Sequence, residues 1–309
     1  MNIIFFGNPE FCKEPLQKLY HSNHEIISVV TSTDRKSGRG LKFVPTFVKK
    51  YSQSLNLTLI ETDDLNDKSF KSKLSFLKPD LFVVVAFKIL PNSILNIPKY
   101  GSINIHPSIL PKYRGSSPIQ YSLLNGDKDT GVSIIKLNSK IDAGDILGQI
   151  KSKINENSTF GELHNSLSLL GSELMIDVLN KIEKNKIKPI KQKNEQKTLA
   201  PKIKKSDLQI NWNEPVLNIH NKIRAFDPYP GAFCFYNNKR IKLFNSKIYH
   251  DNINETGLPG KIFIKDDKFC ILCKDRRYLH IQNIQLEGKQ KVETKDFIQT
   301  LAKNRNYLS

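Results

Sequence analysis

At 309 residues, 39% hydrophobic and 9% aromatic, the chain is long enough to bury the cores of two globular domains. No apolar run approaches the ~20 residues of a membrane span, which excludes a helical membrane protein. The formal charge of +18 is unevenly spread: +14 of it lies after residue 180, and residues 181–205 alone carry ten Lys against two Glu. Such a run is either a solvated surface in a Lys-, Asn- and Ile-rich chain or the footprint of a polyanion partner, whose binding weakens steeply with salt. No basic, apolar leader precedes the first strand, so a cytoplasmic protein with reduced thiols is expected. The cysteines are Cys12, Cys234, Cys270 and Cys273. Cys270-x-x-Cys273 has the spacing of a metal or redox pair, but no second ligand pair accompanies it. In the apolar run 269–272 a strand points residues three apart to opposite faces, and no metal is expected.

In chain order, residues 2–6 are a continuous apolar run, the pattern of a buried strand. Gly7-Asn8-Pro9-Glu10 then turns into a helix reaching residue 20. One glycine there is not a dinucleotide fingerprint, which needs G-x-G-x-x-G. A strand at 26–31 completes the βαβ opening of an open parallel sheet. The stretch from Asp34 to Lys42 is basic and glycine-punctuated. It is either a flexible surface loop or a cationic contact. Helices are expected at 45–54 and 69–77, and strands at 57–60 and 80–86. The run Phe82-Val83-Val84-Val85-Ala86 is apolar on both faces, as a central parallel strand should be. Ligands of such sheets sit beyond the carboxyl ends of strands, where Phe87-Lys88-Ile89-Leu90 follow.

Ile103, Asn104, Ile105 and His106 alternate apolar and polar, the period of a half-buried strand, so Asn104 and His106 share a face. Pro107 ends the strand because its ring removes the ladder donor. A carboxamide beside an imidazole at such a strand end suits acyl transfer: one stabilises an oxyanion, the other moves a proton. A helix at 119–124, a strand at 131–137, a polar loop carrying Asp142 and a strand at 146–154 follow. On a long helix at 160–182, Leu163, Leu167, Leu170, Leu174 and Val178 form a stripe that packs on the sheet, and His164 is a surface or packing residue. The Lys/Pro/Gln-rich stretch 189–205 reads as a linker. Beyond it, a helix carrying Val216, Ile219 and Ile223 precedes five short strands at 233–236, 240–248, 260–264, 269–273 and 278–286. With a final helix at 294–303, these describe a small barrel of oligonucleotide-binding (OB) type. Trp212 is expected to pack between the two domains.

The pattern Asn104-x-His106-x-Ser108-x-Leu110-Pro111, then Tyr113-Arg114-Gly115-x-x-Pro118 and Asp142-x-Gly144-Asp145, resembles the folate-dependent formyltransferase family over nearly the whole chain. The resemblance implies formyl transfer from 10-formyltetrahydrofolate, without a metal. Asn104 would be the oxyanion donor, His106 the proton acceptor and Asp142 the carboxylate that orients His106, with Asp145 ranked behind it. The backbone of Phe87, Lys88, Ile89 and Leu90 would hold the pterin ring, and Ser108, Ile109, Leu110 and Pro111 would line the folate site. Lys88 stands where many relatives carry a small residue. The 34–42 loop is similar to the one that the methionyl-tRNA members of the family insert at the acceptor end of tRNA. Arg39 would be its main contact, its planar fork suited to phosphate and base edges, with Lys42, Arg35 and Lys36 adding charge. Arg224-Ala225-Phe226-Asp227-Pro228-Tyr229-Pro230-Gly231 resembles a signature turn of those members' second domain.

The implied architecture is an α/β, Rossmann-like, mostly parallel sheet with helices on both faces at 1–188. A basic linker at 189–205 leads to an OB-like tRNA-binding domain at 206–309. The implied partner is initiator methionyl-tRNA, and a monomer is expected. Among alternatives, a purine-pathway relative needs only the first domain, and a sugar-nucleotide relative has no use for the basic loop and tail. A folate-oxidising relative requires a large further domain. A non-catalytic RNA-binding protein would explain the charge but not the conjunction of Asn104, His106 and Asp142.

Overall fold

The computed structural model describes residues 1–37, 42–249, 256–298 and 307–308. Arg39, the residue on which the basic-loop expectation centres, lies outside them. The chain forms two compact units: Met1–Ser116, Thr130–Ser152 and His164–Ala200 make the first, and Ser117–Asp129, Lys153–Leu163 and Pro201–Ser309 the second.

In the first unit the long apolar runs become interior strands. These are β1 (Asn2–Gly7), β2 (Glu25–Thr31), β5 (Leu59–Glu61), β6 (Leu81–Val85), β7 (Ser102–His106), β8 (Asp129–Lys136) and β9 (Ile146–Lys153), with β3 (Arg35–Ser37) and β4 (Lys42–Val44) paired separately. The sheet order is β5-β2-β1-β6-β7-β8-β9. It is parallel from β5 to β7 and turns antiparallel between β7 and β8. All five residues of β6 are buried, as its two-faced apolar sequence requires. Register pairs Val84 with Asn104, so the carboxyl ends of β6 and β7 lie side by side.

The helices are α1 (Lys13–Tyr20), α2 (Phe47–Ser54), α3 (Lys68–Phe76), α4 (Asn92–Leu95), α5 (Pro118–Leu124), α6 (Phe160–Glu183), α7 (Val216–Ala225) and α8 (Thr294–Ile298). Thr46 caps α2 by accepting from Lys49 N at 3.0 Å, and the Asp67 carboxylate caps α3 through Ser69 N and Phe70 N. Each such cap stabilises a helix by about 1 kcal/mol. Helix α6 comes so close to the sheet that a Cβ on Gly171 would lie 2.9 Å from Ile105 Cγ2. Among the described residues no helix is long and apolar enough to cross a membrane.

Two stretches differ from their sequence reading. The basic loop is a hairpin, pairing Arg35 with Val44, Lys36 with Phe43 and Ser37 with Lys42. Its base is held electrostatically: Lys49 Nζ bonds Asp34 at 2.7 Å and Glu61 at 3.0 Å, and Arg35 reaches Asp63 at 3.4 Å. The second stretch, 189–205, is not a free linker. Residues up to Ala200 belong to the first unit through bridges of Ile190 to Ile146 and of Leu199 to Arg114, and Ala200 is fully buried. A run of lysines concealed that the intervening backbone had partners to pair with.

In the second unit the five expected strands form β10 (Ala232–Tyr236), β11 (Lys239–Tyr249), β12 (Ile262–Lys265), β13 (Lys268–Leu272) and β14 (Tyr278–Leu286), joined by β15 (Val292–Glu293). They make one antiparallel sheet in the order β10-β11-β14-β13-β12, with β15 on β14. Trp212 packs inside this unit's own core, with Val216, Ile219, Ile223, Phe226 and Cys234, rather than between domains. Its position just before α7 puts it over the sheet that α7 covers. The four cysteines are free and buried. Burial pushes the Cys270 thiol up to about 11 and the other three further. Among the described residues no cluster of His, Cys, Asp and Glu could hold a metal. The expected final helix is described as Thr294–Ile298, and its remainder lies outside the described residues.

Segments 117–129 and 153–163, distant in sequence from the β domain, join the second unit because α7 presents buried polar groups to them. His220 Nε2–H donates to Glu156 O at 3.1 Å, while its Nδ1 accepts from Ser246 Oγ at 2.9 Å. Arg224 donates to Asn221 Oδ1 at 2.9 Å and Ser158 O at 3.2 Å. These buried groups of His220 and Arg224 are paired, as an interior demands. Burial lowers the His220 pKa from 6.5, and it lowers those of His24 and His280 likewise. The unfolded chain therefore takes up protons below about 6.5 that the folded chain refuses, so stability falls as pH drops through that value. The urea midpoint should decrease from pH 7.5 to 5.5, and His220→Asn should shrink the decrease; an unchanged slope in the variant would exclude the assignment.

Candidate active site

The site begins with the pleat of β7. Ile103 and Ile105 are buried on the face covered by α6, which turns Asn104 and His106 to the other. Asn104 is half-buried and His106 is 3% exposed. After Pro107 the chain doubles back so that Tyr113 O meets His106 Nε2 at 2.9 Å. A carbonyl only accepts, so Nε2 carries the hydrogen and, in the neutral ring, Nδ1 is bare. Nδ1 faces Asp142 Oδ2 at 3.7 Å, within ion-pair range and beyond a hydrogen bond. The same Oδ2 accepts from Gly115 N at 2.8 Å.

Backbone conformation makes this convergence feasible. Tyr113 and Asp142 both sit at positive φ, +63° and +48°, sparsely populated by side-chain-bearing residues. Gly115 lies at φ +128°, and a Cβ there would be 2.5 Å from Ala200 O. At Gly144 a Cβ would overlap Lys136 O, so only glycine lets the Asp142 loop close onto β8. The 108–111 segment is pinned from beneath. Ser133 Oγ donates to Ser108 O at 2.6 Å and accepts from Leu110 N at 3.1 Å, and Gln149 Nε2 donates to Leu110 O at 2.8 Å.

Residues 1–179 match the family described as formyl transferase, and residues 202–302 match its C-terminal domain. The chain belongs to the formyl transferase family. It is 35% identical to methionyl-tRNA formyltransferase of Caldanaerobacter subterraneus subsp. tengcongensis and 38% identical to that of Alkaliphilus oremlandii, each over 96% of both chains. Among solved structures it resembles methionyl-tRNA formyltransferase from Clostridium thermocellum, with TM-score 0.56, 20% identity and coverage of 81% of this chain and 94% of that one. It also resembles the sugar 3N-formyl transferase WlaRD, with TM-score 0.67, 23% identity and coverage of 94% and 99%. HypX from Aquifex aeolicus matches at TM-score 0.65 and 18% identity over 96% of this chain, which spans about half, 48%, of the HypX length. At these identities the structural likenesses establish the fold alone.

Of the residues that the formyl transferase resemblance singles out, His106 and Asp142 come together, with Asn104 on the same strand face. Of the expected folate residues, Leu90 and Leu110 are buried in apolar clusters, Ile89 is exposed, and Phe87 stands edge-on to Phe6. The Lys88 side chain is partly exposed and folds back onto Asp63. Its ammonium bonds Asp63 Oδ1 at 2.6 Å and Asp63 O at 2.9 Å, and with Thr33 and Arg35 it holds the Asp63 carboxyl down at about 2. Lys36 lies over the Phe43 ring at 5.6 Å, and Lys42 is exposed on β4. Sequence reasoning assigned no part to Ser133, Gln149, Arg114 or Gln192. The first two carry no motif, and Gln192 sits in a lysine-rich run that gave no sign of burial. Gly144→Ala should lower the formyl-transfer kcat roughly 10- to 100-fold through displacement of Asp142 and should lower the urea midpoint too, because its Cβ meets the Lys136 backbone; a wild-type kcat would show that the loop position is immaterial.

Proposed function

We propose that this chain transfers the formyl group of 10-formyltetrahydrofolate to the α-amine of initiator methionyl-tRNA, giving formylmethionyl-tRNA for translation initiation in the cytoplasm. The observation that carries the reading is identity of 34–38% to proteins named methionyl-tRNA formyltransferase along 96% of the chain. Support comes from the His106–Asp142 pair at a strand's carboxyl end, where ligands of such sheets bind.

The neutral amine nitrogen attacks the formyl carbon, and a C–N bond forms as the carbonyl π pair moves onto oxygen. Asn104 donates its amide hydrogen to that oxyanion. The attacking nitrogen gives up a proton, which His106 accepts at Nδ1, where the Asp142 carboxylate meets the resulting imidazolium. Collapse of the tetrahedral carbon breaks its bond to the folate N10, which takes the proton from the His106 imidazolium and leaves as tetrahydrofolate, restoring neutral His106. No covalent enzyme intermediate is required. With a reference pKa of about 7.7–8.0, the α-amine is partly neutral near pH 7. The hairpin and the cationic second unit take the RNA, with Arg39, Lys42, Arg35 and Lys36 near the acceptor end.

A folate-dependent sugar-amine formyl transferase is the second reading, favoured by the fold likeness to WlaRD. The two separate by supplying the folate donor with charged initiator tRNA, charged elongator tRNA, a nucleotide-linked amino sugar or free methionine. Charged initiator tRNA should react fastest; preference for the sugar amine would overturn the reading. Asn104→Ala should cut kcat by roughly 10²–10³, and a full rate in that variant refutes its role. Arg39→Ala and Lys42→Ala should each raise the KM for tRNA well above any change in the folate KM. They should also make tRNA binding less salt-dependent; equal effects on both substrates would count against the hairpin.

A further inference from the structure

We infer that Gln192, gripped by Arg114, is a positioning residue that sets the place of the Asp142 carboxylate. The inference rests on the reading of Asp142 as part of the catalytic group. The Gln192 Nε2 donates to Asp142 O at 2.8 Å and to Gly144 O at 2.7 Å, bridging the two ends of the Asp142-Ala143-Gly144 turn. The Gln192 Oε1 accepts from Arg114 Nε at 3.0 Å and Nη2 at 2.7 Å. The amide orientation is forced, since carbonyls require its nitrogen and a guanidinium requires its oxygen. All hydrogen-bonding capacity that the amide presents to these groups is therefore used in one orientation.

Arg114 is itself fixed. It is 7% exposed, its Nη2 also donates to Asn194 Oδ1 at 3.0 Å, and its backbone pairs with Thr198 and Ala200 at 2.9 and 2.8 Å. Its neighbours in the chain are the two residues that meet the site directly. Tyr113 O accepts from His106, and Gly115 N donates to Asp142. One planar fork thus ties the backbone that holds His106 to the side chain that holds the Asp142 turn. Asp142 needs such a hold because its φ of +48° is unfavourable for a residue with a Cβ, and such backbone persists only when its surroundings over-determine it. Among the described residues that pin the turn, Gln192 is the one whose side chain reaches both of its ends.

The test is a double-mutant cycle on formylation of charged initiator tRNA. Gln192→Ala should lower kcat roughly 10- to 100-fold, as misplacement of a reacting group does, with the KM for tRNA and for folate within about twofold. In an Asp142→Asn background the same substitution should cost less than about twofold, because Gln192 acts through that carboxylate. Gln192→Glu keeps the size and the partner of Arg114 but sets carboxylate oxygen against two carbonyls, so it should lose kcat as Gln192→Ala does while its thermal midpoint stays near wild type. Wild-type kcat in either Gln192 variant, or losses that multiply with Asp142→Asn, would overturn the inference and leave the site reading standing. Wild-type kcat in Asp142→Asn alone would overturn the site reading, and this inference with it.

Discussion

A carboxylate shared between a backbone N–H and an imidazole is the constraint on which the first unit's site depends. Asp142 must bring one oxygen to Gly115 N and to the Nδ1 side of His106. His106 ends β7, Gly115 lies in the loop after it and Asp142 in the loop after β8, so the convergence requires both loops to fold inward. Two residues at positive φ, a glycine against Lys136 O and another against Ala200 O are what that folding demands locally. The side chain of Asp142 is 13% exposed, so its charge is largely removed from water and has to be met by oriented donors.

The strap from Ile190 to Ala200 answers this demand from outside the sheet. It adds backbone pairing to Arg114, closes over Gly115 and delivers Gln192 beneath the Asp142 turn. A polar network that is fully bonded rigidifies its surroundings, whereas the same groups half-satisfied would be a liability. The basic hairpin uses the opposite economy. Its base is held by ion pairs among half-exposed side chains, each weak by itself. They act together because Thr33, Asp34 and Arg35 are consecutive: Asp63 holds the first and the third, and Lys49 holds the second.

Legibility in the sequence followed the range of the forces involved. Runs such as Phe82-Val83-Val84-Val85 and the leucine stripe of α6 are local patterns, and the elements they predict form within a residue or two of the expected ends. Period-two alternation at Ile103–His106 was enough to place Asn104 and His106 on one face. Failures arose where partners are remote. Residues 34–42 read as a loop because pairing of Lys36 with Phe43 leaves no periodic signature. Trp212 read as an interdomain residue because nothing local shows that Cys234 and Phe226 are its neighbours. Nothing local to Lys88 shows its partner, because Asp63 lies on a different strand connection.

The amino-acid order by itself therefore determined the alternation of strand and helix, the shared face of Asn104 and His106, and the concentration of positive charge after residue 180. These are properties of neighbouring residues, and hydrophobic period and side-chain chemistry are sufficient to read them. Only the tertiary structure decided that a lysine-rich stretch becomes a strap, that Gln192 faces Asp142 and Gly144, and that segments 117–129 and 153–163 belong with the β unit. Each of these is a choice of hydrogen-bond partner across tens of residues. It is settled by which buried donors and acceptors remain unpaired once the sheet has formed, and that information does not exist until the chain has folded.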